Sequence, residues 1–209
     1  HIGTLDPEAS GVLPILVGKA TKLSDLLMLH DKDYIAEIML GIKTDSGDIE
    51  GNIIEIDDSN HNYDKNQILS VLNSFKGHSK QIPPMYSAIK IDGKKLYELA
   101  RNGESVEREA RDIFIDNIEL LDFDGKVIKY KVTCSKGTYI RVLSEDIAEK
   151  LGTVGFMSSL RRTRVGNFKI EDAGKFIKME DILNVESVEL SDSEYKKFQN
   201  GILINVKNL

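Results

Sequence analysis

Apolar and polar residues alternate along several parts of this chain, and a period of two predicts β-strands that are buried on one face. The clearest example is the segment 127–134, in which Ile128, Tyr130, Val132 and Cys134 share one face. Similar β-rich segments predict strands at 34–40, 52–56, 86–91 and 106–120, a basic strand or loop at 160–168, and a buried strand in the continuous apolar run 12–17.

Other segments place apolar residues three or four positions apart, which predicts amphipathic helices. In the segment 140–151, Ile140, Leu143, Ile147 and Leu151 fall on one side. Further helices are predicted at 19–28, 64–75 and 94–102. Strands joined by hairpins and interrupted by helices indicate the α+β fold class, with a mixed, mainly antiparallel sheet flanked by helices.

The length of 209 residues is enough to bury a full core, and it predicts one large domain or one domain with part of another. No apolar run approaches the length that crosses a membrane, and no signal peptide is visible. Cys134 is the only cysteine, so the chain has no internal disulfide. A reducing, cytoplasmic location fits this composition.

The net charge of -6 alone argues against nucleic-acid binding, because phosphate contacts depend on Lys and Arg. The distribution of charge changes this conclusion. The segment 76–111 has eight basic and five acidic residues, and the segment 126–169 has ten basic and three acidic residues. A segregated positive face on an acidic protein is compatible with RNA binding, although a solvated mixed surface has the same composition.

One carboxylate, Asp6, lies between a glycine-threonine turn and a proline, and an apolar run follows it. An isolated Asp-Pro pair is usually a helix or turn cap. Here the whole stretch Gly3–Lys22 resembles the nucleophile segment of the TruB family of pseudouridine synthases, which isomerise uridine in tRNA. The resemblance implies the pseudouridine synthase fold, and it implies that Asp6 is the essential catalytic carboxylate, acting as nucleophile or as base.

Two further residues match the catalytic positions of the family. Tyr34, in the sequence Asp33-Tyr34, resembles the tyrosine that stacks on the target base and takes part in proton transfer. Arg141 follows a strand end and a glycine, so it projects near a helix N-terminus. The resemblance implies that Arg141 pairs with Asp6. A core tyrosine and a surface arginine are the alternative interpretations.

The resemblance extends to the substrate-binding residues. Leu160 resembles the apolar residue beneath the flipped uracil, and Tyr139 resembles a second aromatic residue of the pocket. His1 matches a histidine that helps to hold the base out of the stack. The basic segment around 77–110 resembles an insertion that grips the T-loop. Phosphate and pocket contacts are thus expected from Tyr86, Lys90, Arg161 and Arg162, for which core packing or a solvated face is the alternative.

Short patterns for other ligands fail on spacing. In the segment 11–20, Ala20 stands where a phosphate loop requires Ser or Thr. Asp45, Asp48 and Glu50 lack the order of a calcium loop, and a turn is expected there. The histidines and Cys134 lack zinc spacing. We therefore expect no metal, and the implied reaction needs no cofactor.

The implied function is conversion of uridine to pseudouridine at position 55 in the T-loop of tRNA, after the base is flipped out. The expected partner is the T-arm stem-loop of tRNA, the expected state is a monomer, and no membrane is involved. Two alternatives remain: a guide-RNA-dependent ribosomal RNA pseudouridine synthase, and a non-catalytic tRNA-binding or folding module.

The expected domain organisation has a catalytic domain at 1–185, from which an N-terminal segment is missing. The residues 186–209 are expected to begin a truncated C-terminal RNA-binding domain of the PUA-like type.

Overall fold

Strand β2, Lys32–Leu40, is the centre of the fold, and every second side chain along it is buried. Its alternating sequence therefore forms the strand that the pattern predicts. The computed structural model describes residues 1–91, 93–183 and 188–204. The other strands are β1 Ser10–Gly11, β3 Ile42–Thr44, β4 Ile53–Ile56, β5 Gly77–Gln81, β6 Lys90–Ile91, β7 Lys94–Lys95, β8 Arg111–Phe123, β9 Val127–Cys134, β10 Gly155–Val165 and β11 Phe168–Lys169.

The helices lie between these strands. They are α1 Ser24–Met28, α2 Lys65–Asn73, α3 Leu96–Arg101, α4 Ile140–Lys150, α5 Met179–Ile182 and α6 Asp192–Gln199. Short 3-10 turns span Gly18–Leu23 and Ile170–Asp172. Asp64 caps α2, because its side chain accepts a hydrogen bond from the Gln67 amide at 2.7 Å.

The main sheet has the strand order β1-β10-β2-β9-β8-β5, with β11 paired to the far part of β10. Strand β1 runs parallel to β10, and the other pairs of this sheet are antiparallel. Strands β3 and β4 form one separate hairpin and β6 and β7 another. The predicted α+β class with a mixed, mainly antiparallel sheet is confirmed.

The core lies between this sheet and the helices α2 and α4. Ile38, Ile128 and Tyr130 from the sheet pack with Leu143 and Ile147 from α4 in one buried cluster. The apolar stripe predicted for the 140–151 helix is therefore its buried face. Because α4 is held along this stripe, the sheet fixes the position of its first turn.

Two strand predictions are wrong. The apolar run 12–17 is an irregular segment in which Leu13, Ile15 and Val17 are exposed. Pro14 lacks the amide that a paired strand needs. Of the predicted strand 86–91, only β6 is regular, because the chain turns through 85–88. Strand β5 was not predicted, since its sequence Gly-His-Ser-Lys-Gln carries no apolar alternation.

The chain divides into two compact units, His1–Ala173 and Gly174–Leu209. In the second unit the described residues include α5 and α6, and Ser191 begins α6 in a capping box with Glu194. The boundary predicted at 185 stays a prediction. No helix among the described residues is long and apolar enough to span a membrane.

Gly11 lies at the closest approach of β1 to β10, and this contact gives a prediction about stability. A Cβ at Gly11 would lie 2.0 Å from the Arg162 carbonyl oxygen, and the backbone φ is +112°. We expect Gly11→Ala to lower the free energy of unfolding by about 1–2 kcal/mol through backbone strain and by a further ~1–3 kcal/mol through the clash. Urea denaturation measures the change.

The matched control is Gly77→Ala. Gly77 has a similar φ of +102° and no atom within 4 Å of its added Cβ, so it carries the strain without the clash. Equal losses of stability in the two variants would show that β1 can move away from β10 at no cost.

Candidate active site

The side chain of Arg141 lies in the first turn of α4, where the core packing of the helix holds it, and only 5% of it is exposed. It forms a two-point ion pair with Asp6. Its Nε lies 3.0 Å from Oδ2 of Asp6, and its Nη2 donates to Oδ1 at 3.1 Å. A guanidinium matches a carboxylate in this geometry, which fixes the orientation of Asp6 as well as its position.

Two other segments of the chain also bind Arg141. Its Nη2 donates to the Tyr86 carbonyl at 2.7 Å, and its Nη1 donates to the Ser46 carbonyl at 3.1 Å. The Oδ2 atom of Asp48 lies 3.4 Å from Nη1. Sequence reasoning missed Asp48, which it treated only as part of a turn. Its turn geometry gave no sign that it faces a residue 93 positions away.

Opposing effects act on the Asp6 carboxyl. Burial raises its pKa above the ordinary 3.8, Arg141 opposes this rise, and the nearby Asp48 adds to it. The net direction is upward. Asp6 is therefore less solvated than usual, and one cation favours its ionised form, which are the conditions of a reactive carboxylate.

Arg162 holds the loop that carries Asp6, and only 1% of it is exposed. Its guanidinium donates to the carbonyls of Val12 at 2.8 Å, Gly3 at 2.8 Å and Thr4 at 3.5 Å. Its own carbonyl accepts from the Val12 amide at 2.8 Å. These contacts favour a positioning role for Arg162, in place of the phosphate contact that the sequence predicted, because its donors face the protein interior.

Tyr34 lies opposite Arg162 in the pairing of β2 with β10 and is buried. Burial raises the pKa of Tyr34 to about 12, with Asp6 adding to the rise and Arg162 opposing it. The phenol therefore stays protonated near neutral pH and can donate a hydrogen bond. Because Asp6 and Arg162 both shift the pKa of Tyr34, the phenol lies in the same electrostatic environment as the Asp6 carboxylate.

An open cleft adjoins Asp6. Leu160 forms part of its wall and lies in β10 opposite Ala36. The cleft is lined by Asp6, Glu8, Ala9, Asp48, Ile49, Glu50 and Met157 to Leu160. The predicted carboxylate and the predicted apolar contact thus face one space, with Asp48 beside them.

The remaining predicted residues differ in their exposure and in their contacts with this centre. Tyr139 is partly buried and precedes α4, and Tyr86 contacts Arg141 through its carbonyl. His1 is exposed, next to the buried Ile2. Lys90 in β6 and Arg161 in β10 are exposed and are not among the described residues that line the cleft. Their predicted RNA contacts stay predictions.

The acidic side chains of the cleft are not arranged as a metal site. No group of three or more His, Cys, Asp or Glu residues in the described part of the chain is placed to hold a metal ion. Asp6 and Asp48 instead share the Arg141 cation. The site can therefore present one oriented carboxylate to a ligand in the cleft.

The fold and the Asp6–Arg141 centre together define a protein of the pseudouridine synthase class. Solved structures with this fold include a Cbf5-Nop10-Gar1 complex, at TM-score 0.60 and 32% identity over 81% of this chain and 40% of that chain. Another is an H/ACA RNP bound to a substrate RNA containing 2'-deoxyuridine, at TM-score 0.57 and 27% identity over 96% of this chain and 46% of that chain.

The chain belongs to the TruB family of pseudouridylate synthases. Residues 1–140 match the N-terminal domain of that family, and residues 141–198 match the C-terminal domain of tRNA pseudouridylate synthase B. The tRNA pseudouridine synthase B of Clostridium tetani is 49% identical over 90% of this chain, and that of Francisella tularensis subsp. novicida is 47% identical over 93%. The chain spans 64% and 68% of the length of these relatives.

The contacts of Arg162 predict that its replacement frees the Asp6 loop. We expect Arg162→Lys to lower the free energy of unfolding by roughly 2–3 kcal/mol, because an ammonium cannot reach three carbonyls and leaves some unpaired. Hydrogen exchange followed by mass spectrometry will show faster exchange of the amides in 3–12.

Arg164→Lys is the control on the same strand. It removes a two-point ion pair with Asp33 that is partly exposed, so a loss of about 1 kcal/mol or less is expected. Its 3–12 segment will exchange at the unmodified rate. Unchanged exchange of that segment in Arg162→Lys would assign the loop's rigidity to other contacts.

Proposed function

We propose that this protein isomerises uridine to pseudouridine in the T-loop of tRNA, at position 55. The observation that carries the proposal is the oriented Asp6 carboxyl, which Arg141 holds at an open cleft in a chain of the TruB family. One carboxylate on a loop anchored at both ends suits this reaction, because the chemistry needs a single reactive acid in a fixed place.

The reaction conserves all atoms of the nucleotide. The bond between N1 of uracil and C1' of ribose breaks, the base turns, and a new bond joins C5 to C1'. The proton on C5 leaves and N1 ends protonated. Asp6 contributes an ionised oxygen, either as a nucleophile toward the ribosyl-uracil unit or as a base. Nothing is oxidised or hydrolysed, so the step uses no redox cofactor.

Tyr34 and Leu160 are proposed to hold the flipped uracil. The base reaches the cleft only after it leaves the stack, at a cost of a few kcal/mol. An apolar wall at Leu160 and the aromatic ring of Tyr34 replace part of the lost stacking. Because its raised pKa keeps the Tyr34 phenol neutral, this group can donate a hydrogen bond to the flipped base without adding a second negative charge beside Asp6.

The tRNA partner is proposed to bind through the basic segments outside the cleft. The insertion 77–110 supplies the exposed Lys90 together with Tyr86, and β10 supplies the exposed Arg161. His1 and Tyr139 are proposed to contact the nucleotides beside the flipped base. These contacts position the RNA through its phosphates, so they affect binding more than the chemical step.

Modification of tRNA is favoured over guide-RNA-dependent modification of ribosomal RNA. The relatives named tRNA pseudouridine synthase B are 47–49% identical to this chain, whereas the H/ACA and Cbf5 structures are 27–32% identical. We further propose that the protein acts as a monomer in the cytoplasm, where its single buried thiol, Cys134, stays reduced.

Replacement of the carboxylate tests this function directly. We expect Asp6→Asn in the full-length protein to abolish pseudouridine formation, because a neutral amide cannot serve as nucleophile or base. Binding of a T-arm stem-loop should change by less than about threefold, since phosphate contacts supply most of the affinity. Mass-spectrometric mapping of pseudouridine in that stem-loop, without any guide RNA, measures turnover.

The unmodified protein separates the alternatives in the same assay. Pseudouridine at the T-loop position without a guide contradicts the guide-dependent reading. Binding with no pseudouridine from the unmodified protein would instead indicate a non-catalytic module and end this proposal. Near-normal turnover by Asp6→Asn would remove Asp6 from the mechanism.

The raised pKa of Asp6 predicts the pH dependence of the chemical step. The rate requires the ionised form, so the single-turnover rate should fall as pH drops through a pKa that lies above the ordinary 3.8. Arg141 lowers this pKa, so Arg141→Gln should shift the acid limb to higher pH. Thermal melts at each pH control for unfolding, and an acid limb below about pH 4 would contradict the prediction.

A further inference from the structure

Gln81 is the last residue of β5 and contacts the residue that precedes α4. It is not among the described residues that line the cleft. Only 4% of it is exposed, and it pairs with Arg111 on the edge of the main sheet. In the sequence it falls within the basic segment 77–110, which resembles an insertion that grips the T-loop. Its amide instead points inward, toward the residue that precedes α4.

The Gln81 side chain contacts both backbone groups of Tyr139. Its Oε1 accepts from the Tyr139 amide at 2.7 Å, and its Nε2 donates to the Tyr139 carbonyl at 3.1 Å. Tyr139 is the N-cap residue of α4, and no side chain of its own caps the helix. Only a primary amide offers a donor and an acceptor in this arrangement, so Gln81 acts as a two-point clamp on the N-terminus of the helix.

The same segment contacts the helix a second time, five residues further on. There the Tyr86 carbonyl accepts from Nη2 of Arg141 at 2.7 Å, and this nitrogen also donates to Asp6. Between the two contacts the chain contains Pro83 and Pro84, which restrict its conformation. The segment 81–86 is therefore a brace that holds Arg141 in two ways. It binds the backbone of Tyr139, two residues before Arg141, and it binds the Arg141 guanidinium.

We propose that Gln81 is a positioning residue for the pseudouridine-forming reaction, which sets the angle at which Arg141 presents its guanidinium to Asp6. The proposal rests on the function proposed above. Gln81 touches neither the cleft nor the carboxylate, and it acts by fixing the first turn of α4. A small displacement of a catalytic group is enough to lower a rate by as much as about 100-fold.

The brace also connects the proposed RNA-binding insertion to the proposed catalytic centre. The segment 81–86 lies at the start of the proposed insertion 77–110, and β6, α3 and Lys90 follow it. Through Gln81 and Tyr86, this part of the insertion contacts Tyr139 and Arg141, the residues on both sides of Ile140. Gln81 therefore lies in the proposed RNA-binding insertion and also contacts the helix that carries Arg141.

The test compares Gln81→Leu and Gln81→Glu in the full-length protein on a T-arm stem-loop. Leucine keeps the volume and removes both hydrogen bonds. Glutamate keeps an acceptor for the Tyr139 amide and loses the donor. We expect kcat to fall roughly 10- to 100-fold in Gln81→Leu and less in Gln81→Glu, with KM changed by less than about threefold.

A second readout distinguishes positioning from simple destabilisation. If Arg141 turns away from Asp6, the acid limb of the single-turnover rate moves to higher pH, in the direction expected for Arg141→Gln. Tyr130→Phe is the matched control, because it removes a buried hydrogen bond of 2.9 Å between Tyr130 in the sheet and Ser144 Oγ in α4, three residues after Arg141. It should lower the melting temperature and leave the acid limb in place.

The outcomes separate this proposal from the function on which it rests. A kcat within about twofold of the unmodified protein, or an acid limb that does not move in either Gln81 variant, would overturn the positioning role while pseudouridine formation stands. Circular dichroism and melting temperature confirm that each variant is folded at the assay temperature, and Gln81→Glu serves if Gln81→Leu does not fold. No pseudouridine from the unmodified protein would reject the function itself.

Discussion

The structure of the site depends on one buried cation. Arg141 has almost no contact with solvent, and its guanidinium is neutralised by Asp6 and Asp48 and bound by the carbonyls of Ser46 and Tyr86. A buried guanidinium is tolerated only when its donors are satisfied, so each of these segments must arrive in the right place. The same ion pair lowers the pKa of Asp6 against the effect of burial. The ion pair thus links folding of the site to its chemistry.

A second buried arginine supports the site from β10. Arg162 fixes the loop that carries Asp6 by binding three carbonyls, and it lies beside Tyr34 across the sheet. The two arginines have different partners: Arg141 binds carboxylates as well as carbonyls, whereas Arg162 binds carbonyls of the loop. One therefore sets the charge and orientation of Asp6, and the other sets the backbone that carries it. This division explains how a loop with little regular structure can hold a carboxylate in place.

The sequence predicted much of this arrangement, and the failures have physical causes. Apolar residues at every second position located β2 and β9, and apolar residues three or four positions apart located α4. These patterns are visible in the sequence because each element is buried on one face. The family resemblance paired Asp6 with Arg141, and the structure brings these residues together, although their catalytic roles stay predictions. The partners Asp48 and Gln81 were missed, since convergence of distant segments leaves no local pattern.

Arg162 was assigned to phosphate because neighbouring arginines look alike in sequence, and only the pairing of β10 with β1 and β2 shows which one points inward. The same pairing has a consequence for folding. Asp6 and Arg141 are separated by 135 positions, so their contact closes a very long loop, and we expect it to form after the sheet that aligns them. Partly folded chains on the ribosome would lack the completed centre, and the intact Asp6–Arg141 pair would report that the whole sheet has assembled.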